Sequence, residues 1–300
     1  MNQHTLKRSY TYKGNGLHTG QPVEMTLLPA PENNGIVFQR IDLNGDSFVE
    51  AKVENVSHTS RSTVLAKNGV EVGATEHLLS ALYGMGVDNA LVQLNASELP
   101  ILDGSAKPYA DDITEDGLQD QRVERKYFTV TKPFSYKDEK SVAEIVVTPS
   151  DRLEIEVEVD YNSKVLGVQY ADYHDGMDYA KEIAPNRTFC FFHELEPLLS
   201  HNLIKGGDLD NAIVIVEHPV PQETLDKMRL LFNAGDLKVT QGYLSNVQLH
   251  FSNECARHKL LDIIGDFALL GLPLRGKIVA KKSGHSINTK AVQALIYQLK

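Results

Sequence analysis

Two stretches of the chain echo each other: HLLSALYGMGVDNALVQLNASELPILDGSAKPYADDI, from His77 to Ile113, and HKLLDIIGDFALLGLPLRGKIVAKKSGHSINTKAVQAL, from His258 to Leu295. Each begins with a histidine, carries leucines at helical spacing and reaches a glycine seven residues later, Gly84 and Gly265. Self-similarity at a long period is typical of a repeated structural unit. The two stretches therefore predict that one unit occurs twice.

The order of elements after those glycines is also the same. A β-rich run follows in each stretch, Ala90–Leu94 in the first and Lys277–Ala280 in the second. A turn of glycine and serine and a second helical stretch come next. Chance similarity between two α/β units is the alternative interpretation. We predict an α+β protein of two related domains, each with a sheet, helices and a small insert.

The length of 300 residues fits two such domains. Asp120–Arg125 is a polar stretch after a glycine, which is typical of a connection between domains. We place the boundary there, with a first domain of residues 1–122 and a second of residues 123–300.

Three runs after that boundary are predicted to be strands: Tyr127–Phe134, Ala143–Thr148 and Leu153–Asp160. The third alternates strictly between apolar and acidic residues. Because side chains along a strand point to opposite faces in turn, this pattern indicates one buried face and one face in water.

A β-α-β insert is predicted in the second domain, near residues 183–217. Ile183–Phe192 and Ala212–Val216 are β-like, and Gly206-Gly207 ends the helix between them. Four leucines share one face of that helix: Leu195, Leu198, Leu199 and Leu203. They either pack on the sheet or line a passage.

The segment that follows the insert, Glu217–Leu249, is harder to interpret. Gln222–Phe232 has the pattern of a helix. No function follows from the residues of this segment.

Composition excludes several classes of protein. A net charge of −10 argues against nucleic-acid binding, which needs a basic face. Two cysteines cannot form a disulfide framework and fit a reducing compartment. The N-terminus lacks the apolar region of a signal peptide, and no run reaches the roughly 18 apolar residues that span a bilayer. We therefore expect a cytoplasmic protein without stable membrane insertion.

Charge is unevenly distributed within this acidic chain. Arg257–Lys282 carries six basic residues against two acidic ones. This local excess indicates either an anionic ligand nearby or an ordinary solvated surface.

His258 and Asp262 are the first candidate metal ligands. Four residues apart on a helix, their side chains project from one face and can bind the same ion. Imidazole nitrogen and carboxylate oxygen are ligands that zinc prefers. A pair of solvated neighbours would have the same spacing. Cys255 lies near that face, where a small buried hydrophobic residue is the alternative to a ligand.

His77 is the third candidate ligand. It opens the first echoing helix directly after Glu76, a pairing that also occurs as an ordinary first turn of a helix. If His77 meets His258 and Asp262, three protein ligands leave a fourth position for water, as in catalytic zinc sites. Glu76 could then accept a proton from that water.

His285 is a candidate general acid. It lies in KKSGHS, where a histidine is otherwise an ordinary turn residue. An imidazole beside a metal can protonate a departing amine. Asp266, one helical turn beyond Asp262, could hold that imidazole in its charged form.

Seven motifs in order resemble the UDP-3-O-acyl-N-acetylglucosamine deacetylase family, which acts in lipid A biosynthesis in Gram-negative bacteria. They are GLHTG (16–20), TEHLLSALYGMGVDN (75–89), ELPILDGSAKPY (98–109), RTF (187–189), GGDLDNA (206–212), RHKLLDIIGD (257–266) and KKSGHSIN (281–288). The resemblance covers nearly the whole chain, and the combination of HKxxD, EH and SGH is highly specific. It implies a two-domain β-α-α-β sandwich and a Zn²⁺ cofactor bound by His77, His258 and Asp262.

The resemblance also implies catalytic roles. Glu76 is expected to be the general base, and His285, supported by Asp266, the general acid. Thr188 matches the family residue that donates a hydrogen bond to the oxyanion. The expected reaction is hydrolysis of the N-acetyl group of UDP-3-O-(3-hydroxyacyl)-N-acetylglucosamine.

Further expectations concern the substrate. Phe189 matches a residue of the substrate channel, Lys259 a lysine that meets polar groups of the substrate, and His18 a residue near the active site. The insert matches the unit that forms a hydrophobic passage for the acyl chain. Some family members are fused to a hydroxyacyl-carrier-protein dehydratase, so a further domain beyond Lys300 is an expectation.

Two other classes of function compete with this interpretation. A serine hydrolase would need an activated serine, but no GxSxG elbow occurs in the sequence. A non-catalytic α/β ligand-binding module would use the same histidines and aspartates structurally. A zinc protease is disfavoured because HExxH is absent.

Overall fold

The structure is a computed structural model that describes residues 1–139, 141–200, 205–232, 234–245 and 248–299. Within these ranges, strands and helices are distributed along the whole chain. The strands are β1 (Asn2–Leu6), β2 (Tyr10–Asn15), β3 (Pro22–Pro29), β4 (Ile36–Arg40), β5 (Phe48–Glu50), β6 (Val56–His58), β7 (Val64–Lys67), β8 (Val70–Val72), β9 (Ala90–Leu94), β10 (Leu118–Glu124), β11 (Phe128–Thr129), β12 (Phe134–Asp138), β13 (Ala143–Thr148), β14 (Leu153–Asp160), β15 (Val168–His174), β16 (Phe189–Phe191), β17 (Ile213–Ile215), β18 (Val239–Thr240), β19 (Tyr243–Leu244) and β20 (Leu274–Lys281). The helices are α1 (Glu76–Gly84), α2 (Lys107–Asp116), α3 (Tyr179–Glu182), α4 (Phe192–Ser200), α5 (Gln222–Leu231), α6 (Glu254–Phe267) and α7 (His285–Leu299).

The two halves build sheets with the same strand order and directions. The first sheet runs β2-β3-β9-β4-β5, and the second follows the path β12-β13-β20-β14-β15, with β11 added beside β20. In the first path only β4 and β9 are parallel, and in the second only β14 and β20. The predicted duplication is confirmed. In both units the middle strand of the path, β9 or β20, follows the first helix of its echoing stretch along the chain and precedes the second.

The period-two pattern of β14 is confirmed as well. Leu153, Ile155, Val157 and Val159 are each no more than 2% exposed, while the acidic residues between them are not buried. The strand runs over Leu153–Asp160, the range that the alternation predicts.

Helices fill the space between the two sheets. α6 packs on β14 and β15, α7 packs on β12 and β13, and α1 packs against α6. On the other side, Tyr109 of α2 meets Tyr12 of β2, with ring centroids 4.8 Å apart. One continuous apolar core joins all these elements. The fold is therefore the α+β, β-α-α-β sandwich that the family resemblance implies.

The crossing of α1 and α6 is close because Gly265 has no side chain. A Cβ atom at this position would overlap the backbone oxygen of Glu76. Gly84, its counterpart in the first echoing stretch, lies instead against the ring of Tyr179. Each glycine thus marks a tight contact, but only Gly265 lies against the helix turn that carries the candidate base.

Two predicted strands differ from the structure. Tyr127–Phe134 is not one strand: β11 ends at Thr129, and β12 begins at Phe134, directly after Pro133, which cannot donate a backbone hydrogen bond. The two pieces also pair with different partners, β20 and β13.

The second difference is at Ile183–Phe192, which we predicted to be one strand. The strand β16 covers only Phe189–Phe191 of that range. The chain before it forms the short helix α3, and Ile183 and Ala184 are buried in the turn that follows. Pro185 lacks the backbone donor that a longer strand would need.

The predicted β-α-β insert is present. β16 and β17 are parallel, with α4 between them, and β19 and β18 complete a four-stranded sheet. α5 matches the predicted helix at Gln222–Phe232 to within one residue. The insert has its own small core, on which Leu195 packs. Leu203 and the side chains of Leu198 and Leu199 lie outside the described residues.

The first half has an insert too, the three-stranded sheet β6-β7-β8. The domain division at residues 122 and 123 stays a proposal; it falls within β10, which pairs with β1 at the N-terminus. None of the helices in the described ranges combines the length and the apolar character that crossing a bilayer requires.

Candidate active site

A cavity of about 860 Å³ lies where α1, α6 and the start of α7 face the insert of the second half. Its wall includes nine of the ten residues that the sequence analysis proposed for the site: His18, Glu76, His77, Thr188, Phe189, His258, Lys259, Asp262 and His285. The tenth, Asp266, is fully buried directly behind His285. The two halves of the chain therefore bring the predicted residues to one place.

The three candidate metal ligands converge. The Nε2 atoms of His77 and His258 lie 4.0 Å and 3.4 Å from the same oxygen, Oδ1 of Asp262. One potential ligand atom from each residue lies within 4.8 Å of the other two. Tetrahedral ligands with metal bonds of about 2.1 Å are roughly 3.4 Å apart, so small side-chain movements suffice to bind one ion.

Burial favours the neutral form of both imidazoles, and a hydrogen bond orients the ring of His258. Nδ1 of His258 lies 3.0 Å from the backbone oxygen of Asn186. Because a carbonyl can only accept, Nδ1 carries the hydrogen and Nε2 presents its lone pair to the site. Burial lowers the pKa of His258, and burial together with the neighbouring His258 lowers the pKa of His77 to about 3. Neutral imidazole is the form that binds metals.

The carboxylate of Asp262 shows whether a cation suits the space between the two imidazoles. It is 1% exposed, and its Oδ2 accepts a hydrogen bond of 2.8 Å from Nζ of Lys259. Burial opposes its charge, but His258 and Lys259 outweigh burial and hold the pKa of the carboxyl below its usual range. Among the described residues, Oδ1 has no hydrogen-bond partner. A buried, ionised and unpaired oxygen that faces two imidazoles matches the donor set of a metal site.

Glu76 lies beside this triad at the start of α1. Its Oε2 accepts a hydrogen bond of 3.0 Å from the backbone N–H of Thr63, while Oε1 lies 3.8 Å from Nε2 of His285. Burial is the main cause that raises the pKa of Glu76 to about 7, although His285 opposes this effect. A carboxyl group whose pKa is near neutral pH is suited to accept a proton.

His285 and Asp266 form the second polar pair of the cavity. Nδ1 of His285 lies 3.0 Å from Oδ2 of Asp266, which leaves Nε2 facing the cavity. Burial disfavours the charge on His285, but Asp266, Glu76 and Asp262 outweigh burial and raise its pKa to about 10. At neutral pH the imidazole therefore holds a proton that it can donate.

Ser283, two residues before His285, does not fit the serine-hydrolase alternative. Oγ of Ser283 is buried and has no hydrogen-bond partner among the described residues. Nδ1 of His285 is bound to Asp266 instead. Nucleophilic catalysis needs a serine in hydrogen-bond reach of its base, and this serine has no such contact.

The backbone of Thr188 is fixed between the two halves. Its N–H donates to the backbone oxygen of Gly104 at 2.8 Å, and its carbonyl accepts from the N–H of Ile213 at 2.8 Å. Thr188 lines the cavity from this position.

An aromatic and cationic wall continues from Thr188. The ring of Phe189 makes edge contacts with Tyr161 and His258, with centroids 5.6 Å and 6.3 Å away. Nζ of Lys259 lies 5.4 Å from the centroid of the same ring. These side chains offer a flat apolar surface and a positive charge beside the ligand triad.

His18 lines the cavity from the loop between β2 and β3. Its backbone N–H donates to Oε1 of Glu98 at 2.9 Å, and Nε2 is buried without a partner among the described residues. Burial lowers the pKa of His18. The neighbouring Leu17 accepts a hydrogen bond of 3.2 Å from the N–H of Gly206, so this loop also connects the first half to the insert.

Several residues of the wall were not predicted from the sequence. Arg61 and Lys205 bring positive charge, while Met228 of α5 and Phe232 bring apolar surface. The segment Glu217–Leu249, which had no assigned function, therefore contributes to the cavity. Only the helical spacing of its apolar residues marked it in the sequence.

The basic stretch Arg257–Lys282 mostly does not reach the cavity. Of its six basic residues, Lys259 alone lines the wall in the described part of the chain. Lys277 pairs with Glu156 and Lys282 with Asp160. The interpretation as a solvated surface therefore holds for most of this charge.

The chain is similar to known proteins over nearly its whole length. The family model described as "LpxC: UDP-3-O-acyl N-acetylglycosamine deacetylase" matches residues 3–232 and 236–297. A protein of Bacteroides thetaiotaomicron named "Bifunctional enzyme LpxC/FabZ" is 45% identical over 97% of this chain and 63% of its own length. Its namesake in Porphyromonas gingivalis is 42% identical over 99% of this chain and 65% of its own length.

A shorter relative is a "UDP-3-O-acyl-N-acetylglucosamine deacetylase" of Saccharophagus degradans, which is 40% identical. The alignment covers 99% of this chain and 90% of that protein. The chain therefore spans less than two thirds of the two bifunctional relatives and most of the single-function one.

Proposed function

The chain belongs to the LpxC family of UDP-3-O-acyl N-acetylglycosamine deacetylases, and on this premise we propose that it is a deacetylase of lipid A biosynthesis. The proposed reaction hydrolyses the N-acetyl group of UDP-3-O-(3-hydroxyacyl)-N-acetylglucosamine to give UDP-3-O-acyl-glucosamine and acetate. The observation that carries the proposal is the convergence of His77, His258 and Asp262 within 4.8 Å, with Glu76 and His285 in the same cavity wall.

Zn²⁺ is the metal that we propose for this site. Two imidazole nitrogens and one carboxylate oxygen suit its ligand preference, and three protein ligands leave a position for water or substrate. A bound zinc ion lowers the pKa of water from 15.7 towards about 7 and polarises a carbonyl group.

Glu76 acts as the general base in this proposal. Its Oε2 is held by the N–H of Thr63, so Oε1 is the oxygen that accepts a proton from the attacking water. Attack of that water on the acetamide carbonyl makes the carbonyl oxygen negative. The hydroxyl of Thr188, on the cavity wall, donates a hydrogen bond to that oxygen.

His285 acts as the general acid. Asp266 orients its ring through Nδ1, and Nε2 transfers a proton to the departing glucosamine nitrogen. The C–N bond breaks as that nitrogen gains its proton, and acetate is released. After turnover His285 is neutral and Glu76 is protonated, so both must exchange protons with solvent before the next cycle.

The remaining wall residues are proposed to bind the substrate. Lys259 and His18 present nitrogen atoms to polar groups of the nucleotide sugar, and Phe189 presents its ring along the channel. The apolar side chains of the insert are proposed to receive the acyl chain, because hydrocarbon is stabilised by burial against apolar surface.

Three wider expectations also stay proposals. A cytoplasmic location is the first of them. The names of the bifunctional relatives support a second fused enzyme beyond Lys300, which the family resemblance identifies as a dehydratase. We propose no nucleic-acid partner, given the net charge of −10.

Acetate release from the UDP-sugar substrate tests the proposed function. The purified protein is assayed as isolated, after removal of metal by a chelator, and after addition of Zn²⁺. We expect acetate release that chelation abolishes and zinc restores. Substrate binding without acetate release from metal-loaded protein would support the ligand-binding module instead, and activity that resists complete metal removal would exclude the metal-dependent mechanism.

A further inference from the structure

Thr63 is a buried residue that donates hydrogen bonds to the carboxylates of both Glu76 and Asp266. It lies directly before β7, in the insert of the first half, and it is 0% exposed. Its backbone N–H donates to Oε2 of Glu76 at 3.0 Å. Its hydroxyl donates to Oδ1 of Asp266 at 2.6 Å, across the interface between the two halves.

The carbonyl of Thr63 is held as well. It accepts hydrogen bonds from the hydroxyl of Thr75 at 3.1 Å and from the N–H of Thr75 at 3.3 Å. Thr75 directly precedes Glu76, so Thr63 is anchored to the first turn of α1 through both its N–H and its carbonyl. The backbone of Thr63 therefore moves with the base.

The hydroxyl of Thr63 completes the partners of Asp266. Nδ2 of Asn288 and Nδ1 of His285 bind Oδ2 of this carboxylate, at 2.8 Å and 3.0 Å. In the described part of the chain, Thr63 is the donor that the structure places on Oδ1. A hydroxyl that donates to a carboxylate makes a short and comparatively strong hydrogen bond.

We propose that Thr63 is a positioning residue for deacetylation, which fixes the general base of the first half relative to the acid pair of the second half. This inference rests on the proposed function. In the proposed reaction Glu76 accepts a proton from the attacking water and His285 protonates the departing nitrogen, and their Oε1 and Nε2 atoms are 3.8 Å apart. Thr63 donates one hydrogen bond to Glu76 and one to Asp266, which orients His285. The two donor groups belong to one residue, so only a few covalent bonds separate them. Its hydroxyl acts through Asp266 and does not touch the reacting atoms.

The role has consequences that differ from those of ordinary core packing. Without the hydroxyl, Asp266 keeps two donors but can rotate, and the ring of His285 rotates with it. Misplacement of a catalytic group by about 1 Å costs on the order of 100-fold in rate. Substrate affinity should hardly change, because Thr63 is not on the cavity wall.

The test compares Thr63→Val, which replaces the hydroxyl with a methyl group, with Thr63→Ser, which keeps the hydroxyl. Acetate release by the wild-type enzyme is measured first, so failure of the proposed function is recognised separately. We expect Thr63→Val to keep its metal, to lower kcat by about 10- to 100-fold and to leave KM within about twofold. Thr63→Ser should recover kcat to within about threefold of wild type.

Thr5→Val is the matched control. Thr5 is also a buried threonine whose hydroxyl donates a hydrogen bond, to the backbone oxygen of Asn89 at 2.7 Å, but it lies outside the cavity wall. This variant should lose thermal stability and keep wild-type kcat. If Thr63→Val does not fold, Thr63→Ala makes the same comparison with less bulk.

A double-mutant cycle with Asp266→Asn tests the pathway of the effect. If the hydroxyl acts through Asp266, adding Thr63→Val to Asp266→Asn should lower kcat by much less than it does in wild type. The inference is overturned if Thr63→Val has wild-type kcat, if Thr63→Ser is as slow as Thr63→Val, or if the two effects multiply.

Discussion

The two halves of the molecule share one architecture and contribute unequally to the site. Both sheets have the same strand order, and each middle strand connects two helices. His77 and His258 occupy matching places in the first helix of each unit. Four residues further, however, α1 has the buried Ala81, whereas α6 has Asp262. The fold is therefore repeated in the two halves, but the chemical groups of the site are not.

The difference continues along the units. α6 also carries Asp266, and α7 begins with His285, whereas the matching helix of the first half begins with Lys107. The first half contributes one proposed ligand and the proposed base, and the second contributes two proposed ligands and the proposed acid pair. The site thus depends on the crossing of α1 and α6, which neither half contains alone.

Removal of a ligand should give the largest effect and should differ between the halves. Asp262→Ala leaves the charge of Lys259 buried without its partner, which typically costs about 3–5 kcal/mol of unfolding free energy, in addition to the loss of metal. His77→Ala, whose side chain is 14% exposed, should lose metal and activity with a smaller loss of stability. Metal content, acetate release and denaturant unfolding measure this contrast. Equal destabilisation by the two variants would contradict it.

Removal of the base or the acid should come next in size. Glu76→Gln and His285→Gln keep the three ligands and should retain metal. Each should lower kcat by about 10²- to 10⁴-fold, because proton transfer by a positioned side chain contributes on that order. Metal-loaded Glu76→Gln with wild-type turnover would show that the base is another group.

Substitution of the two repeat glycines compares the contact between Gly265 and Glu76 with an ordinary packing contact at Gly84. Gly265→Ala and Gly84→Ala should both lower stability, each by about 1–3 kcal/mol, because each new methyl group overlaps a neighbour. Only Gly265→Ala pushes on the backbone of Glu76, so only this variant should also lower kcat, by roughly 10-fold or more. Wild-type kcat in folded Gly265→Ala, measured as acetate release, would contradict the importance of this contact.

The pH dependence should give the smallest effect. Glu76 must be ionised, so activity should fall as pH decreases through its pKa, which is raised to about 7 and which a bound cation lowers. His285 must be protonated, so activity should fall as pH rises through its pKa of about 10. The profile of kcat/KM should be bell-shaped, and the residual activity of His285→Gln should lack the alkaline limb. An alkaline limb that persists in this variant would assign the acid to another residue.

The sequence predicted what is local and repeated. The spacing of His258 and Asp262 follows from one helix, and the burial of β14 follows from its period of two. The family resemblance added proposed roles for Thr188 and Lys259, which spacing alone did not indicate.

Contacts between distant segments were not predictable in the same way. Nδ1 of His258 is oriented by the backbone oxygen of Asn186, and no side-chain pattern identifies a carbonyl as a partner. Thr63 lies 203 positions from Asp266 in the chain, and an isolated threonine before a strand carries no motif. The break in Tyr127–Phe134 also depends on which strands the two pieces join, which is decided by the whole sheet.

The most direct test of the account is the position of the metal in crystals of the purified protein, located by anomalous scattering at the zinc edge. We predict one ion about 2.0–2.2 Å from Nε2 of His77, Nε2 of His258 and a carboxylate oxygen of Asp262. An ion held by the second half alone, with His77 beyond bonding distance, would contradict the claim that both halves build one centre. Zinc-loaded protein with no anomalous peak at this position would contradict it equally.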